Sequence, residues 1–162
     1  MSNRRIRCNR DHVTPAVEAA CGVRLPADRA AVDGCGVPVW AMPLDRVAAG
    51  WAGLVGDAAG RRLLDAMVAE PVMVAGAGRV DTRLLADGGG RLVAKTGAEG
   101  VHAAVDLIEG RAVALKARDG ATRAAEAAIE WVLGVLGTMA MPAPQPLRNA
   151  AGTVVGSITV AG

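Results

Sequence analysis

Apolar residues recur along this chain in two rhythms. Leu44, Val47, Ala48, Trp51, Leu54 and Val55 return at helical spacing, with Pro43 before them and Gly56 after them. Leu63, Leu64, Met67 and Val68 give one face to a second helix from about Ala58 to Glu70, ended by Pro71. A third, longer helix is predicted from about Thr122 to Leu136. Ala125, Ile129, Val132, Leu133 and Leu136 form its apolar face, and Gly137 stops it. Near the start, Thr14-Pro15 reads as an N-cap followed by proline at the first helical position. It opens a short helix to about Ala20 that ends at Gly22. Arg24 to Ala30 reads as a charged connector.

The second rhythm is that of short apolar strands between turns. Arg91–Ala94, Val101–Val105 and Ala112–Lys116 are separated by Lys95–Gly100 and Glu109-Gly110. Gly88-Gly89-Gly90 precedes the set and Asp119-Gly120 follows it. The pattern predicts a three-stranded antiparallel meander. Val74–Thr82 reads as a glycine-bearing loop in which Asp81 or Thr82 caps a short helical turn through Leu84-Leu85. This loop carries part of a dinucleotide fingerprint, but it lacks the third glycine and a surrounding βαβ unit, which excludes that reading. Pro142, Pro144 and Pro146 read as an extended connector. A turn at Asn149–Gly152 and a strand over Thr153–Val160 close the chain. The sum is an α+β class, an antiparallel sheet with packed helices, in one domain over 12–162 behind a disordered tail over 1–11.

Composition sharpens this picture in one respect. With 52% hydrophobic and 21% charged residues the chain can build a core, yet it has no Tyr, no Phe and three Trp. A core of Ala, Val and Leu must pack closely, or be completed by another segment or subunit. The net charge of +2 selects no partner. The basic run Arg4-Arg5-Ile6-Arg7 has no interleaved aromatics, which argues against a nucleic-acid surface. No apolar stretch follows it, as a signal peptide requires. No apolar run approaches the roughly 20 residues needed to span a bilayer, so no membrane partner is expected. Cys8, Cys21 and Cys35 are odd in number and lack CxxC spacing, which fits a reducing, cytoplasmic setting.

Two stretches carry candidate chemistry. In Lys95-Thr96-Gly97-Ala98-Glu99-Gly100, a lysine at a strand end is followed by a hydroxyl, two glycines and a carboxylate. Glycine lets a ligand approach the backbone, and the lysine can hold a carboxylate or tune a nucleophile. The same residues also read as a hairpin with a solvated lysine. In Asp33-Gly34-Cys35-Gly36, a cysteine between two glycines is accessible. It reads as a nucleophile, as a metal ligand, or as a small residue in a tight turn.

Four stretches together resemble one family. They are Asp33–Pro38, Val74–Thr82, Lys95–Gly100 and Ala114–Gly120. Their order and spacing are similar to the C-terminal half of the thermolabile, Rhizobium-type L-asparaginases, the asparaginase II family. The resemblance covers about residues 12 to 160 and about half of the family's usual sequence. It implies an amidohydrolase that cleaves the side-chain amide of L-asparagine to aspartate and ammonia, on a fold similar to glutaminases and serine β-lactamases. In that group a Ser-x-x-Lys pair supplies the nucleophile and a Lys-x-Gly strand lines the site.

By that resemblance Lys95 is the catalytic cation. Thr96, Gly97, Glu99 and Asp33 lie on the substrate side, and Cys35 is the zinc ligand. Glu99 contacts the substrate's amino group or orders the turn, and Asp33 orients the Cys35 turn or simply forms an Asx turn. Zinc needs about three protein ligands, and Cys8, Cys21, His12 and His102 offer no recognisable ligand spacing.

The sequence departs from the family in having no Ser-x-x-Lys and no Cys-Ser-Gly-Lys-His. Val80 replaces the Phe usual before Asp-Thr, and His102 stands where a bulky residue is common. The expectation is therefore an incomplete enzyme, inactive alone, that forms a homo-oligomer or joins a missing N-terminal half. A non-catalytic binding domain and a glutaminase or other amidase are the alternatives.

Overall fold

The computed structural model describes residues 12–161. The tail expected over 1–11, and Cys8 with it, lie outside these residues. A helix α1 (Thr14–Cys21) comes first, then a 3-10 turn (Ala27–Arg29) and a hairpin of β1 (Ala31–Val32) and β2 (Pro38–Val39). Helices α2 (Leu44–Gly56), α3 (Ala58–Ala69), α4 (Pro71–Ala75) and α5 (Val80–Asp87) follow. Strands β3 (Leu92–Thr96), β4 (Val101–Asp106) and β5 (Ala112–Lys116) lead to α6 (Thr122–Val135). A second hairpin, β6 (Gln145–Arg148) and β7 (Val154–Ile158), ends the fold.

The predicted meander is present, antiparallel and in strand order β3-β4-β5. Its alternating residues face two helical layers. Leu92 and Ala94 of β3 and Ala104 of β4 pack with Leu84 and Leu85 of α5 and with Ile129 and Leu133 of α6. Val93 and Val105 point the other way, against Leu64 of α3 and Trp51 and Leu54 of α2. The α+β class is therefore observed, as a sheet held between helices. Each fully buried aliphatic side chain contributes about 1.5–3 kcal/mol.

The close packing demanded by a core without Phe or Tyr is visible at two glycines. A Cβ on Gly60 of α3 would lie 2.6 Å from the Leu54 carbonyl oxygen, and one on Gly50 of α2 would lie 2.7 Å from Cys21 Sγ. Both helix contacts need the bare backbone. No helix of the described residues is long and apolar enough to cross a membrane.

Four expectations need correction. Thr14 is not an N-cap, because the backbone is already helical at Val13 (φ −79°, ψ −44°), which places Thr14 inside the first turn. Pro71 both ends α3 and starts α4, since a first-turn proline lacks only an N–H that would be unpaired anyway. Neither Asp81 nor Thr82 is a cap: α5 starts at Val80, and both residues lie within it. Thr82 Oγ1 instead donates to the Gly76 carbonyl at 2.6 Å, tying the loop to the helix. Finally, the proline connector contains a strand, because Pro146 sits in a two-stranded hairpin opposite Ser157, where one missing donor is tolerated.

Candidate functional site

The Lys95 segment occupies the end of β3 and the turn into β4. Lys95 stands opposite Ala103, and Thr96 opposite His102. Gly97 donates to the Val101 carbonyl at 2.8 Å and closes the turn. Glu99 carries φ +56° and Gly100 φ +69°. For Gly100 the left-handed backbone costs nothing, while a Cβ there would meet Ala117 Cβ at 2.8 Å. Glu99 is exposed, and its carboxylate lies over Gly120, where a Cβ would come within 2.9 Å of Oε2.

Pleating sends Lys95 and Thr96 to opposite faces of the sheet. Lys95 shares the face of Val93, toward α2 and α3, and is half-buried. Its Nζ donates to the Thr96 carbonyl at 2.6 Å, and among the described residues it has no carboxylate partner. An ammonium held only by a carbonyl is free to pair with an incoming carboxylate or to lower the pKa of a nearby hydroxyl.

Thr96 faces α5, where Asp81 meets it twice. Thr96 N–H donates to Asp81 Oδ2 at 2.8 Å and Thr96 Oγ1 donates to Oδ1 at 3.0 Å. His102 Nε2 lies 2.6 Å from the same Oδ1. Among the described residues neither ring nitrogen of His102 makes a directed hydrogen bond. His102 is fully buried and Asp81 is 2% exposed. Burial pushes the Asp81 carboxyl up, but the His102 contact and the Thr96 hydrogen bonds outweigh it, and the group titrates below its usual range.

At the opposite end of β4, Asp106 Oδ2 accepts from Arg91 Nη2 at 2.7 Å and from Thr138 Oγ1 at 3.2 Å. Its Oδ1 accepts from the amides of Ile108 and Glu109. These bonds fix the sheet's far end. Glu130 of α6 pairs with Arg83 of α5 and accepts from Gln145 of β6.

Thr96, Gly97 and Glu99 therefore share one corner with Lys95. Asp33 and Cys35 lie on the β1–β2 turn, and among the described residues no hydrogen bond or ion pair joins them to that corner. Asp33 Oδ1 accepts from the amides of Cys35 and Val37, each at 2.9 Å, which makes the Asx turn. Cys35 is a free, exposed thiol at its tip. Among the described residues no three His, Cys, Asp or Glu side chains are grouped to hold a metal. Cys21 lies against Gly50 instead, and burial pushes its thiol up. The described residues thus do not fit a zinc ion, and no chemistry is routed through one.

Asp81 and His102 were not legible as site residues. The available signal was a histidine among the apolar residues of a strand, at the position that pairs with Thr96. Ser157, the serine among the described residues, is exposed on β7 in the outlying hairpin. A cavity of about 980 Å³ opens between α1, α2 and the sheet. It is lined by apolar side chains such as Val17, Met42, Trp51 and Val101, with Lys116 at its wall, and Lys95 does not line it.

A family model described as L-asparaginase II matches residues 9–160. No curated protein matches the chain.

Proposed function

The chain belongs to the L-asparaginase II family, and from that premise we propose that it supplies one wall of an amidohydrolase site acting on L-asparagine. The observation that carries the reading is Lys95, held half-buried on β3 within the family-matched region, with its ammonium committed, among the described residues, only to a backbone carbonyl. Lys95 polarises or holds groups around the nucleophile during cleavage of the side-chain amide to aspartate and ammonia. The open turn Gly97–Glu99 lies beside it for the substrate's polar atoms. The arrangement of sheet and helices is read as similar to glutaminases and serine β-lactamases.

The nucleophile comes from outside these 162 residues. Thr96, the hydroxyl nearest in sequence to Lys95, is spent on Asp81, and Ser157 lies in the far hairpin. A serine needs an adjacent base to be activated, and the family's Ser-x-x-Lys segment would provide both. Cys35 belongs to the same reading as a metal ligand only if that segment brings further ligands. The test is ammonia release from L-asparagine and from L-glutamine, by this chain alone and after addition of a polypeptide carrying Ser-x-x-Lys. Turnover of asparagine only in the mixture supports the reading. Turnover by the chain alone, or of glutamine in preference, replaces it.

A further inference from the structure

The strand end that carries Lys95 is held by a buried polar relay. Lys95 Nζ donates to the Thr96 carbonyl at 2.6 Å. The N–H of that same Thr96 donates to Asp81 Oδ2 at 2.8 Å, and its hydroxyl to Oδ1 at 3.0 Å. Asp81 in turn lies 2.6 Å from His102 Nε2. Both side chains behind Thr96 are sealed from water, at 2% and 0% exposure.

A buried carboxylate and imidazole cost desolvation energy that an apolar pair would not incur. Leu115, which neighbours His102 across β4–β5, packs into the apolar layer that contains Leu84 and Ile129. Packing alone could therefore be met there by an aliphatic side chain. What the polar pair adds is direction. It grips the backbone of one residue, Thr96, at the β3 edge not paired to β4, and that residue's carbonyl seats the lysine.

We infer that Asp81 and His102 are positioning residues for Lys95: Asp81 clamps Thr96 from behind the sheet, His102 holds Asp81 in place, and the clamped Thr96 carbonyl sets where the Lys95 ammonium sits in front. The inference deepens the proposed function by assigning two residues that act on the site without touching substrate.

The chain contains only two lysines, Lys95 and Lys116, so selective carbon-13 labelling of lysine gives an NMR spectrum with its own internal reference. His102→Leu removes the ring nitrogens and keeps the bulk. It is expected to shift the Lys95 side-chain signal, leave Lys116 in place, and lower hydrogen-exchange protection of the Thr96 amide at least tenfold. His102→Gln, whose amide nitrogen can reach Asp81, is expected to restore both readouts. A folded His102→Leu protein with an unmoved Lys95 signal, or Leu and Gln variants that behave alike, overturns the inference. If His102→Leu does not fold, Thr96→Val removes only the hydroxyl bond to Asp81 and is read the same way. No asparagine is present, so a negative result here leaves the amidohydrolase reading standing, and a failed ammonia assay leaves this one standing.

Discussion

His102 Nε2 lies 2.6 Å from Asp81 Oδ1, and neither side chain reaches solvent. One residue comes from the second strand of the sheet and the other from the helix behind it. Asp81 is thereby fixed to receive both the amide and the hydroxyl of Thr96. Asp81→Asn keeps the shape but removes the charge that answers these donors. The loss expected at pH 7 is about 2–3 kcal/mol. The Asp81 carboxyl is depressed in the folded protein, so the unfolded chain takes up its proton first as pH falls. The contribution is whole above about pH 4 and is lost as pH falls through the folded value. Urea midpoints of wild type and Asp81→Asn should differ at pH 7 and draw together as pH falls below about 4. A gap that stays constant with pH would show that the charge is not what stabilises.

Asp106 gives a second, independent acid response. Burial raises its carboxyl, but Arg91, the Glu109 and Ile108 amides and Thr138 hold it at about 2. Its stabilisation is complete above about pH 4 and fades as pH falls toward 2. Asp106→Asn should lower stability by about 3 kcal/mol at pH 7 and flatten the acid limb of the stability curve. Arg91→Met should reproduce most of that flattening, and an unchanged acid limb in both variants would remove Asp106 from the account.

The turn beside Lys95 is strained at one residue. Glu99 holds φ +56°, a region in which a side chain costs about 1–2 kcal/mol. Glu99→Gly should raise the thermal midpoint. Gly100→Ala should lower it, since the added carbon meets Ala117 Cβ at 2.8 Å and φ is +69°. Equal midpoints for the two variants would contradict this backbone description.

In the β1–β2 turn, the carboxylate stabilises and the thiol does not. Asp33→Ala removes the acceptor of two amides and should cost about 1 kcal/mol. Cys35→Ser, at an exposed free thiol, should move stability by less than about 0.5 kcal/mol. A larger effect of Cys35→Ser under metal-free conditions would assign the thiol a structural role.

The meander, the helices flanking it and the Lys95 turn were legible because period-two and period-3.6 apolar patterns survive in the sequence. Leu92, Val93 and Ala94 form a continuous apolar run because β3 is covered on both faces. The short helix α4 was hidden by Pro71, which reads as a stop although it also starts a helix. Strand β6 was hidden by its proline. The role of Asp81 was misread because a carboxylate in a first helical turn looks like a cap, and nothing local reveals that its acceptors serve a strand 15 residues away. The Asx turn that holds Cys35 was one of the readings the sequence offered, since Asp33 stands two residues before it.

The central claim is that Lys95 is the cation of an asparagine-hydrolysing site completed from outside this chain. Its most direct test is ammonia release from L-asparagine by the chain mixed with a polypeptide bearing the family's Ser-x-x-Lys segment, compared for Lys95 and Lys95→Ala. The account predicts no release by the chain alone, release in the mixture, and a loss of at least a hundredfold, about 2.7 kcal/mol, on removing the ammonium. Turnover by the unmixed chain, or a loss under tenfold with Lys95→Ala, would contradict it.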